Sequence, residues 1–350
     1  MKHFKLKNFL FAIVTTAALS SCHKDKNDVT PTTPIAQVAG VYVLNQGGST
    51  GSITYYDYTT KVTTPDIYTT ANGAGVGSLP NDLKVYGSKM YIVVDKSKVI
   101  NVVNPKTAKL IKQISFGDSE PRSIAFYKNN AFVTSYDGTV AVIDTAALTI
   151  SKHITVGSYP EQLVVSNNKL YVANSGGLAV TYDKTVSVID LTSLAVTKTI
   201  NVIINPVAIG ADNYGHVYVI SNGDYASVMP GISIIDNTAD VATSQTTVDV
   251  GYGSPFVVSG DNGYYLSGTG KVVVYNTKTQ AISSANFITD GTKLTAAYGL
   301  AANSTTGEVF VTDAKDYSSN GTLYAFDKNG KQEYTITVGI NPANIVFVNK

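Results

Sequence analysis

Short apolar runs alternate with polar turns along most of the chain, and the stretch between residues 160 and 202 shows the pattern clearly. Residues 160–177 read PEQLVVSNNKLYVANSGG, and residues 185–202 read TVSVIDLTSLAVTKTINV. Val, Ile, Tyr and Thr dominate the apolar runs, whereas Asn, Gly and Ser separate them, which is typical of strands joined by turns. The pattern predicts four strands, at 163–165, 170–173, 186–190 and 196–202.

The same unit recurs along the chain. Its openings are Pro80-Asn81-Asp82-Leu83, Pro121-Arg122-Ser123-Ile124, Pro160-Glu161-Gln162-Leu163, Pro206-Val207-Ala208-Ile209, Pro255-Phe256-Val257-Val258, Tyr298-Gly299-Leu300-Ala301 and Pro342-Ala343-Asn344-Ile345. Each third strand ends on an Asp or Asn, at Asp57, Asn104, Asp144, Asp190, Asp236, Asn276 and Asp327. A period of about 40–50 residues predicts propeller blades of four strands each.

The two ends of the repeat array predict how the ring closes. The first unit, residues 40–68, has only three predicted strands, whereas the chain ends on a lone opening strand at 345–348. If that strand completes the first blade, no blade keeps an unpaired inner edge. The prediction is therefore an all-β, seven-bladed propeller over residues 40–350.

The first 39 residues precede the repeats and have a different composition. Residues 1–21 have a basic start and an apolar core at 9–19, which predicts a targeting segment too short to span a bilayer permanently. Leu19-Ser20-Ser21-Cys22 resembles a bacterial lipobox, and the resemblance implies that Cys22 is lipidated and anchors the protein to a membrane. An ordinary secretory signal with an incidental cysteine is the alternative. Residues 22–39 are predicted to be a flexible tether.

The residues that follow Cys22 bear on localisation. Residues 23–28 read HKDKND, which resembles the surface-export signal of Bacteroidetes lipoproteins. The resemblance implies an outer-membrane lipoprotein, and display on the cell surface is favoured over an anchor facing the periplasm.

Composition argues against several function classes. The net charge is +1 and no basic stripe is present, so a nucleic-acid partner is not expected. Cys22 is the only cysteine, no His pair has metal-ligand spacing, and neither a nucleophile elbow nor a P-loop occurs. The Asp residues that end the third strands are expected to cap turns rather than form a carboxylate cluster. We therefore predict a protein without catalytic activity, metal or cofactor.

Three insertions mark one face of the predicted propeller. Residues 176–185, 224–231 and 313–321 lie between second and third strands, on the face that also carries the loops before each opening strand. Because loops on a rigid scaffold carry function, ligand binding is predicted there. Tyrosine and polar rim residues are the candidates: Asn45, Gln46, Asn81, Asp82, Tyr136, Tyr159, Asn174, Tyr182, Asn222, Tyr225, Tyr252, Tyr298, Tyr317 and Asn344. Second-strand tyrosines such as Tyr91, Tyr171 and Tyr218 are expected in the core between blades.

Arg122, the only arginine, follows an opening proline on the same face. Its guanidinium suits fork-like contact with a phosphate, carboxylate or amide array, which makes it a candidate ligand anchor. An ion pair with Glu120 or Glu161 is an equally open interpretation.

The repeat resembles the YVTN (YncE-like) propeller repeat, best seen in Tyr171-Val172-Ala173-Asn174 and Thr199-Ile200-Asn201-Val202. More narrowly, the lipobox, the tether, VYVLNQG at 41–47 and SITYYD at 52–57 resemble the Bacteroidetes surface lipoproteins that include the cobalamin-binding BtuG proteins. This second resemblance implies capture of a corrinoid (vitamin B12) and its transfer to a TonB-dependent outer-membrane transporter. A glycan-binding lipoprotein and a protein-interaction propeller remain alternatives.

Overall fold

In the computed structural model of the protein, residues 38–349 are described. They form twenty-eight strands and one short helix: β1 (Val38–Asn45), β2 (Ser52–Asp57), β3 (Thr63–Thr64), α1 (Ile67–Asn72), β4 (Pro80–Tyr86), β5 (Lys89–Val94), β6 (Val99–Val103), β7 (Leu110–Ser115), β8 (Pro121–Tyr127), β9 (Asn130–Ser135), β10 (Thr139–Asp144), β11 (Thr149–Thr155), β12 (Pro160–Ser166), β13 (Lys169–Asn174), β14 (Thr185–Asp190), β15 (Ala195–Asn201), β16 (Pro206–Ala211), β17 (His216–Ser221), β18 (Gly231–Asp236), β19 (Val241–Thr247), β20 (Val257–Ser259), β21 (Asn262–Leu266), β22 (Val272–Asn276), β23 (Ala281–Ser284), β24 (Ala297–Ala302), β25 (Val309–Asp313), β26 (Thr322–Phe326), β27 (Gln332–Thr337) and β28 (Pro342–Asn349).

The strands form seven antiparallel sheets of four, which confirms the predicted seven-bladed β-propeller. Blade one has the order β28-β1-β2-β3, and blades two to seven take the remaining strands four at a time in chain order. Strand β28 pairs with β1, with Ile345 opposite Val43 and Phe347 opposite Val41. The last strand of the chain therefore completes the first blade, as the repeat pattern predicted.

Blade one differs from the pattern at its outer edge. Its outermost strand has two residues, and α1 follows it directly. The Asp66 side chain caps this helix by accepting a hydrogen bond from the Thr69 backbone N–H, and Gly73 ends it in the left-handed conformation that lacks strain only for glycine. Tyr68, the last residue of the predicted first unit, lies in this helix and packs into the core.

The core lies between neighbouring blades. Tyr91 and Val93 of blade two pack against Ile124 and Val133 of blade three, and similar clusters fill the other blade contacts. Tyr91, Tyr171 and Tyr218 are completely buried, as expected of second-strand tyrosines.

Buried tyrosine hydroxyls also connect blades directly. Tyr42, Tyr171 and Tyr218 donate to main-chain carbonyls of the next blade, at 2.9, 3.2 and 2.8 Å. The accepting carbonyls belong to Pro105, Asn237 and Thr277, and each of these residues directly follows the Asp or Asn that ends a third strand.

The Asp and Asn residues at the ends of the third strands cap the following turns, as predicted. The Asp144 carboxylate, for example, accepts hydrogen bonds from the Ala146 and Ala147 backbone N–H groups at 2.8 and 2.7 Å. The equivalent side chains in the other blades make the same kind of contact.

Several predictions concern residues 1–37, which lie outside the described part of the chain. They include the targeting segment, Cys22 and most of the tether. Among residues 38–349, no helix is long and apolar enough to cross a membrane.

Strand β28 is expected to be essential for a cooperative fold. Deleting residues 342–350 exposes the inner edge of β1 and removes one wall of the blade-one core, so the cooperative thermal transition seen by circular dichroism should be lost. A synthetic peptide of residues 342–349 should restore it by pairing with β1, whereas a scrambled peptide should not. Removing residues 1–37 is the control and should leave the melting curve unchanged. A truncated protein that melts like the full chain would contradict the closure mechanism.

Candidate ligand-binding site

A cavity of about 180 Å³ opens on the loop face between blades three and six. The residues around it come from five loops and from two opening strands, β12 and β16. Its lining residues are Tyr136, Glu161, Ser175, Gly177, Leu178, Tyr182, Asn205, Val207, Asn222, Tyr225 and Tyr252. Five of the sequence-predicted residues thus converge on it: Tyr136, Tyr182, Asn222, Tyr225 and Tyr252.

The tyrosine rings around this cavity contact one another. Tyr225 lies between Tyr182 and Tyr252, with ring centroids 5.9 and 6.2 Å away. On the blade-three side, Tyr136 packs edge-on against Tyr159 at 5.2 Å. These offset and edge-to-face arrangements stabilise the rings while leaving their faces available. We call the rings of Tyr182, Tyr225 and Tyr252 the tyrosine row.

A second tyrosine pair lies beyond Tyr252, in blade seven. Tyr298 and Tyr317 have centroids 5.9 Å apart in an edge-to-face arrangement. Burial, followed by the neighbouring Tyr317 and Tyr252 hydroxyls, raises the pKa of Tyr298. Tyrosine rings of the loop face thus occur from blade four to blade seven, and we call them together the aromatic surface.

Amide groups accompany the rings at the cavity. The Asn205 Nδ2 atom lies 3.4 Å from the Tyr225 hydroxyl, at the weak end of the hydrogen-bond range. Asn222 is 95% buried in the wall beside it. The cavity thus combines flat apolar faces with amide and hydroxyl groups, a combination that suits a ligand with both kinds of surface.

Arg122 is not a free anchor, because carboxylates occupy its hydrogen-bonding edge. Its Nη1 atom lies 2.5 Å from the Asp95 carboxylate, and its Nε and Nη2 atoms lie 3.2 and 3.1 Å from Glu161 Oε2. The guanidinium also lies over the Tyr136 ring, 4.5 Å from the centroid. The sequence left anchor and ion pair open, and the structure shows the ion pair with Glu161.

The carboxylates around Arg122 keep its guanidinium charged. Burial alone lowers the pKa of Arg122, but Glu161, Tyr136 and Asp95 outweigh burial and raise the pKa overall, so the guanidinium stays charged. Burial raises the pKa of Asp95, against the influence of Arg122. One cation faces two carboxylates, so the network offers no excess positive charge to a phosphate.

Three predicted ligand residues that do not line the cavity are buried beneath the face. Asn45 and Asn174 occupy equivalent strand ends and are completely buried. Their amides donate to hydroxyls of the next strand, Asn45 to Ser52 and Thr54 at 3.1 Å and Asn174 to Thr185 and Ser187 at 3.0 Å. These contacts fix neighbouring strands and give both asparagines a structural role.

Asp82 is the third buried residue, with 3% exposure, and it joins three innermost strands. Its Oδ2 atom accepts from the Ser123 hydroxyl and the Ile124 N–H at 2.8 and 3.0 Å, and its Oδ1 atom accepts from Asn344 Nδ2 at 2.9 Å. Asp82 therefore links β4 to β8 and β28. Asp82 and Asn344 thus take part in joining the ring.

Gln46 and Asn81 lie near the axis and contact each other. Gln46 Oε1 accepts from the Tyr298 hydroxyl at 2.8 Å, and Gln46 Nε2 lies 3.4 Å from Asn81 Oδ1. Asn81 Nδ2 donates to the Arg122 carbonyl at 2.7 Å. These half-buried side chains form a polar path from blade seven to blade three.

The sequence analysis did not assign Glu161, Asn205 or Leu178 to the site. Glu161 could have been found, because Asn81, Arg122 and Glu161 all directly follow an opening proline, and Arg122 contacts both of the others. Asn205 comes directly before an opening proline and adopts a positive φ of 61°. No sequence signal marks Leu178, which lies in an irregular insertion.

A larger depression of about 480 Å³ lies away from these rings, between β27 and residues 52–66 of blade one. None of the sequence-predicted ligand residues lines it. Within residues 38–349, no group of three or more His, Cys, Asp or Glu residues is placed to hold a metal ion.

The profile of a family described as a domain of unknown function (DUF5074) matches residues 39–348, which is nearly the whole propeller. The chain belongs to the DUF5074 family. No curated protein matches the chain. The likeness to the YVTN and BtuG groups thus remains a resemblance, whereas DUF5074 membership covers all seven blades.

Solved structures share the fold at low sequence identity. A quinoprotein alcohol dehydrogenase-like protein from Bacteroides thetaiotaomicron has a TM-score of 0.66 and 18% identity, covering 88% of this chain and 78% of that one. Kuenenia stuttgartiensis hydrazine synthase has a TM-score of 0.62 and 14% identity, covering 77% and 95%. The computationally designed Ika8 protein has a TM-score of 0.59 and 14% identity, covering 90% and 92%. At these identities the likeness shows the fold alone.

Removing Arg122 is expected to cost stability. Arg122→Met leaves the Asp95 and Glu161 carboxylates facing each other without a cation, so the free energy of unfolding in urea should fall by about 3 kcal/mol. The matched control is Lys96→Met, which breaks the more exposed pair with Glu120 and should cost at most about 1 kcal/mol. Equal small losses for both variants would contradict a structural role for Arg122.

Proposed function

We propose that this protein binds a broad ligand on the loop face of the propeller, without catalysing a reaction on it, and that a corrinoid is the leading ligand. The observation that carries the proposal is the convergence of the tyrosine row with Tyr136, Asn205 and Asn222 on one cavity. Tyrosine offers a rigid apolar face and a hydroxyl at low entropic cost.

A corrinoid matches the chemistry of this surface. Its flat ring suits the exposed faces of Tyr225 and Tyr252, which are 58% and 85% exposed. A cavity of about 180 Å³ is too small for the whole molecule, and its amide lining suits a peripheral amide arm. Because Arg122 is paired with Asp95 and Glu161, the phosphodiester of a complete cobalamin gains no cationic anchor there.

We further propose that Cys22 carries the lipid anchor at the outer membrane, with the propeller facing the cell exterior. The lipobox-like sequence and the segment after it support this proposal. A TonB-dependent transporter is the proposed recipient of the ligand, on the strength of the resemblance to the cobalamin-binding lipoproteins.

A second candidate function is a contact surface for another protein. Leu178 and Val180 of the blade-four insertion are 65% and 108% exposed, and Val228 and Met229 of the blade-five insertion are 42% and 62% exposed. Such a concentration of exposed apolar side chains beside a cavity is typical of interaction sites. The surface would suit docking on the transporter as well as a role independent of any small ligand.

Calorimetric titration of a soluble protein that starts at residue 38 tests the corrinoid proposal. We expect saturable binding of cyanocobalamin. Cobinamide, which lacks the phosphodiester, should bind with a Kd within about threefold of that value, because no free cation is available to bind the phosphodiester. Tyr182→Ala and Tyr225→Ala should each weaken binding about tenfold. Tyr214→Ala, an exposed tyrosine on the opposite face, is the control and should leave binding unchanged.

The absence of heat with both corrinoids would reject them as ligands. Binding that is unchanged in both tyrosine variants would reject the proposed site. The first result would favour the protein-contact alternative, with glycans as the next ligand class to test, and the second would mean that the corrinoid binds elsewhere on the protein.

Lipidation is tested in cells of the source organism or a close relative. Wild-type protein should incorporate labelled palmitate, remain with the membrane fraction and be degraded by protease added to intact cells. Cys22→Ala should abolish the label because it removes the only thiol in the chain. Retention of the label in Cys22→Ala would contradict the anchor, whereas a labelled but protease-resistant protein would place it on the periplasmic side.

A further inference from the structure

Two loops of the ligand face share one short sequence. Residues 224–227 of blade five read Asp-Tyr-Ala-Ser, and residues 316–319 of blade seven read Asp-Tyr-Ser-Ser. Both loops connect the second and third strands of their blades. The shared pattern, Asp-Tyr-x-Ser, was not noted in the sequence analysis, although each tyrosine was chosen separately.

The aspartate folds each loop around its own side chain. Asp224 Oδ1 accepts from the N–H groups of Ala226, Ser227 and Val228 at 2.9, 2.7 and 2.7 Å, and its Oδ2 accepts from the Ser227 hydroxyl at 2.7 Å.

Asp316 makes the corresponding contacts in blade seven. Its Oδ1 accepts from the N–H groups of Ser318 and Ser319 at 2.9 and 2.7 Å, and its Oδ2 accepts from the Ser319 hydroxyl at 2.9 Å. Both carboxylates therefore clamp the residues that follow the tyrosine.

The tyrosine inside each clamp has an unfavourable backbone conformation. The φ angles of Tyr225 and Tyr317 are 59° and 60°, in the left-handed region that bulky residues rarely adopt. Both rings are about half exposed, at 58% and 54%. Other bulky residues adopt a positive φ in turns of the opposite face, for example Leu148 and Leu194, so the two tyrosines are distinguished by half-exposed rings on the loop face.

The Tyr225 ring lines the proposed site, and the Tyr317 ring lies on the same face in blade seven. Tyr225 is the middle ring of the tyrosine row, and Tyr317 packs against Tyr298 at the far end of the aromatic surface. The hydrogen bond from the Ser227 side chain is the main cause that holds the pKa of Asp224 below its usual range. The pKa of Asp316 is lowered mainly by the hydrogen bonds from the Ser318 and Ser319 N–H groups. Because these pKa values are depressed, the clamps are complete above pH ~4 and weaken only as the pH falls below it.

We propose that Asp224 and Asp316 are positioning residues, which hold Tyr225 and Tyr317 in the left-handed conformation before the ligand arrives. The two rings then form a matched pair of preformed contacts two blades apart. This inference rests on the proposed function and narrows it, since a ligand that touches both rings must be broad enough to extend from blade five to blade seven. Preformed contacts of this kind raise affinity because little side-chain freedom is lost on binding.

A double-mutant cycle with cyanocobalamin tests whether Asp224 acts through Tyr225. Asp224→Ala and Tyr225→Ala should each lower the affinity about tenfold, and the double variant should bind no more weakly than Tyr225→Ala alone. Losses that multiply in the double variant would overturn the proposal. The same cycle at Asp316 and Tyr317 should give the same result.

Asp144→Ala is the matched control for the loss of a turn. Asp144 caps a turn on the opposite face through the same kind of backbone hydrogen bonds. Its removal should lower the melting temperature about as much as Asp224→Ala does while leaving the affinity unchanged. An equal loss of affinity in both variants would show that the effect is general destabilisation and would overturn the proposal.

A measurement without ligand separates this inference from the proposed function. In protein labelled with 3-fluorotyrosine, the resonances of residues 225 and 317 are assigned by Tyr→Phe variants. Asp224→Ala should move the Tyr225 resonance towards the value of a solvent-exposed tyrosine, and Asp224→Asn, which keeps an acceptor oxygen, should largely retain the wild-type position. An unchanged resonance in Asp224→Ala would overturn the inference. If cyanocobalamin does not bind at all, the proposed function fails, and this spectrum still decides whether the clamps position the rings.

Discussion

The pairing of β28 with β1 is the constraint on which the rest of the ring depends, because it is the contact that joins the last blade to the first. Strand β28 lies innermost in blade one, where it contacts the opening strands of blades seven and two. The contacts near the axis therefore exist only in the closed ring. Asn344 of β28 reaches Asp82 of blade two, and Gln46, just after β1, reaches Tyr298 of blade seven.

The blades are joined by different chemistry at the two ends of the propeller. Away from the loop face, buried hydroxyls such as those of Tyr42 and Tyr171 donate to carbonyls of the next blade. Near the loop face, ionic and amide contacts such as Arg122 to Glu161 span neighbouring opening strands. Both sets fix the angle between blades, so the loops are displayed from a rigid frame and can differ in length without disturbing it.

The sequence predicted the features that follow from the repeat period and the residue type. It was less informative about how deeply a side chain is buried and which groups it contacts. Strand order, ring closure, the turn-capping Asp residues and the burial of Tyr91 follow from the repeat, because each repeat position has one environment. Asn45 and Asn174 show the limit of this reasoning. A side chain at a strand end can point to solvent or to the next strand, and a one-residue shift in register decides which. The residue types alone allowed Arg122 either to contact a ligand or to form an ion pair. Only the positions of Asp95 and Glu161 in the folded chain reveal the ion pair. The short helix α1 replaces most of an outer strand because the Asp66 cap stabilises it locally. A helix of six residues is too short to stand out in the hydrophobic pattern.

The pairing of Arg122 also bears on how the proposed site would discriminate between ligands. With its cation neutralised by two carboxylates, the proposed site would select by shape and hydrogen bonding rather than by charge. The phenols support this view, because burial and neighbouring phenols raise the pKa of both Tyr225 and Tyr298 above the usual value. These groups therefore keep their protons throughout the neutral range and act as neutral donors and acceptors beside the amides. A surface built from neutral phenols and amides discriminates by where the polar groups of a ligand lie relative to its flat faces, and such discrimination requires that the rings be held in place before binding.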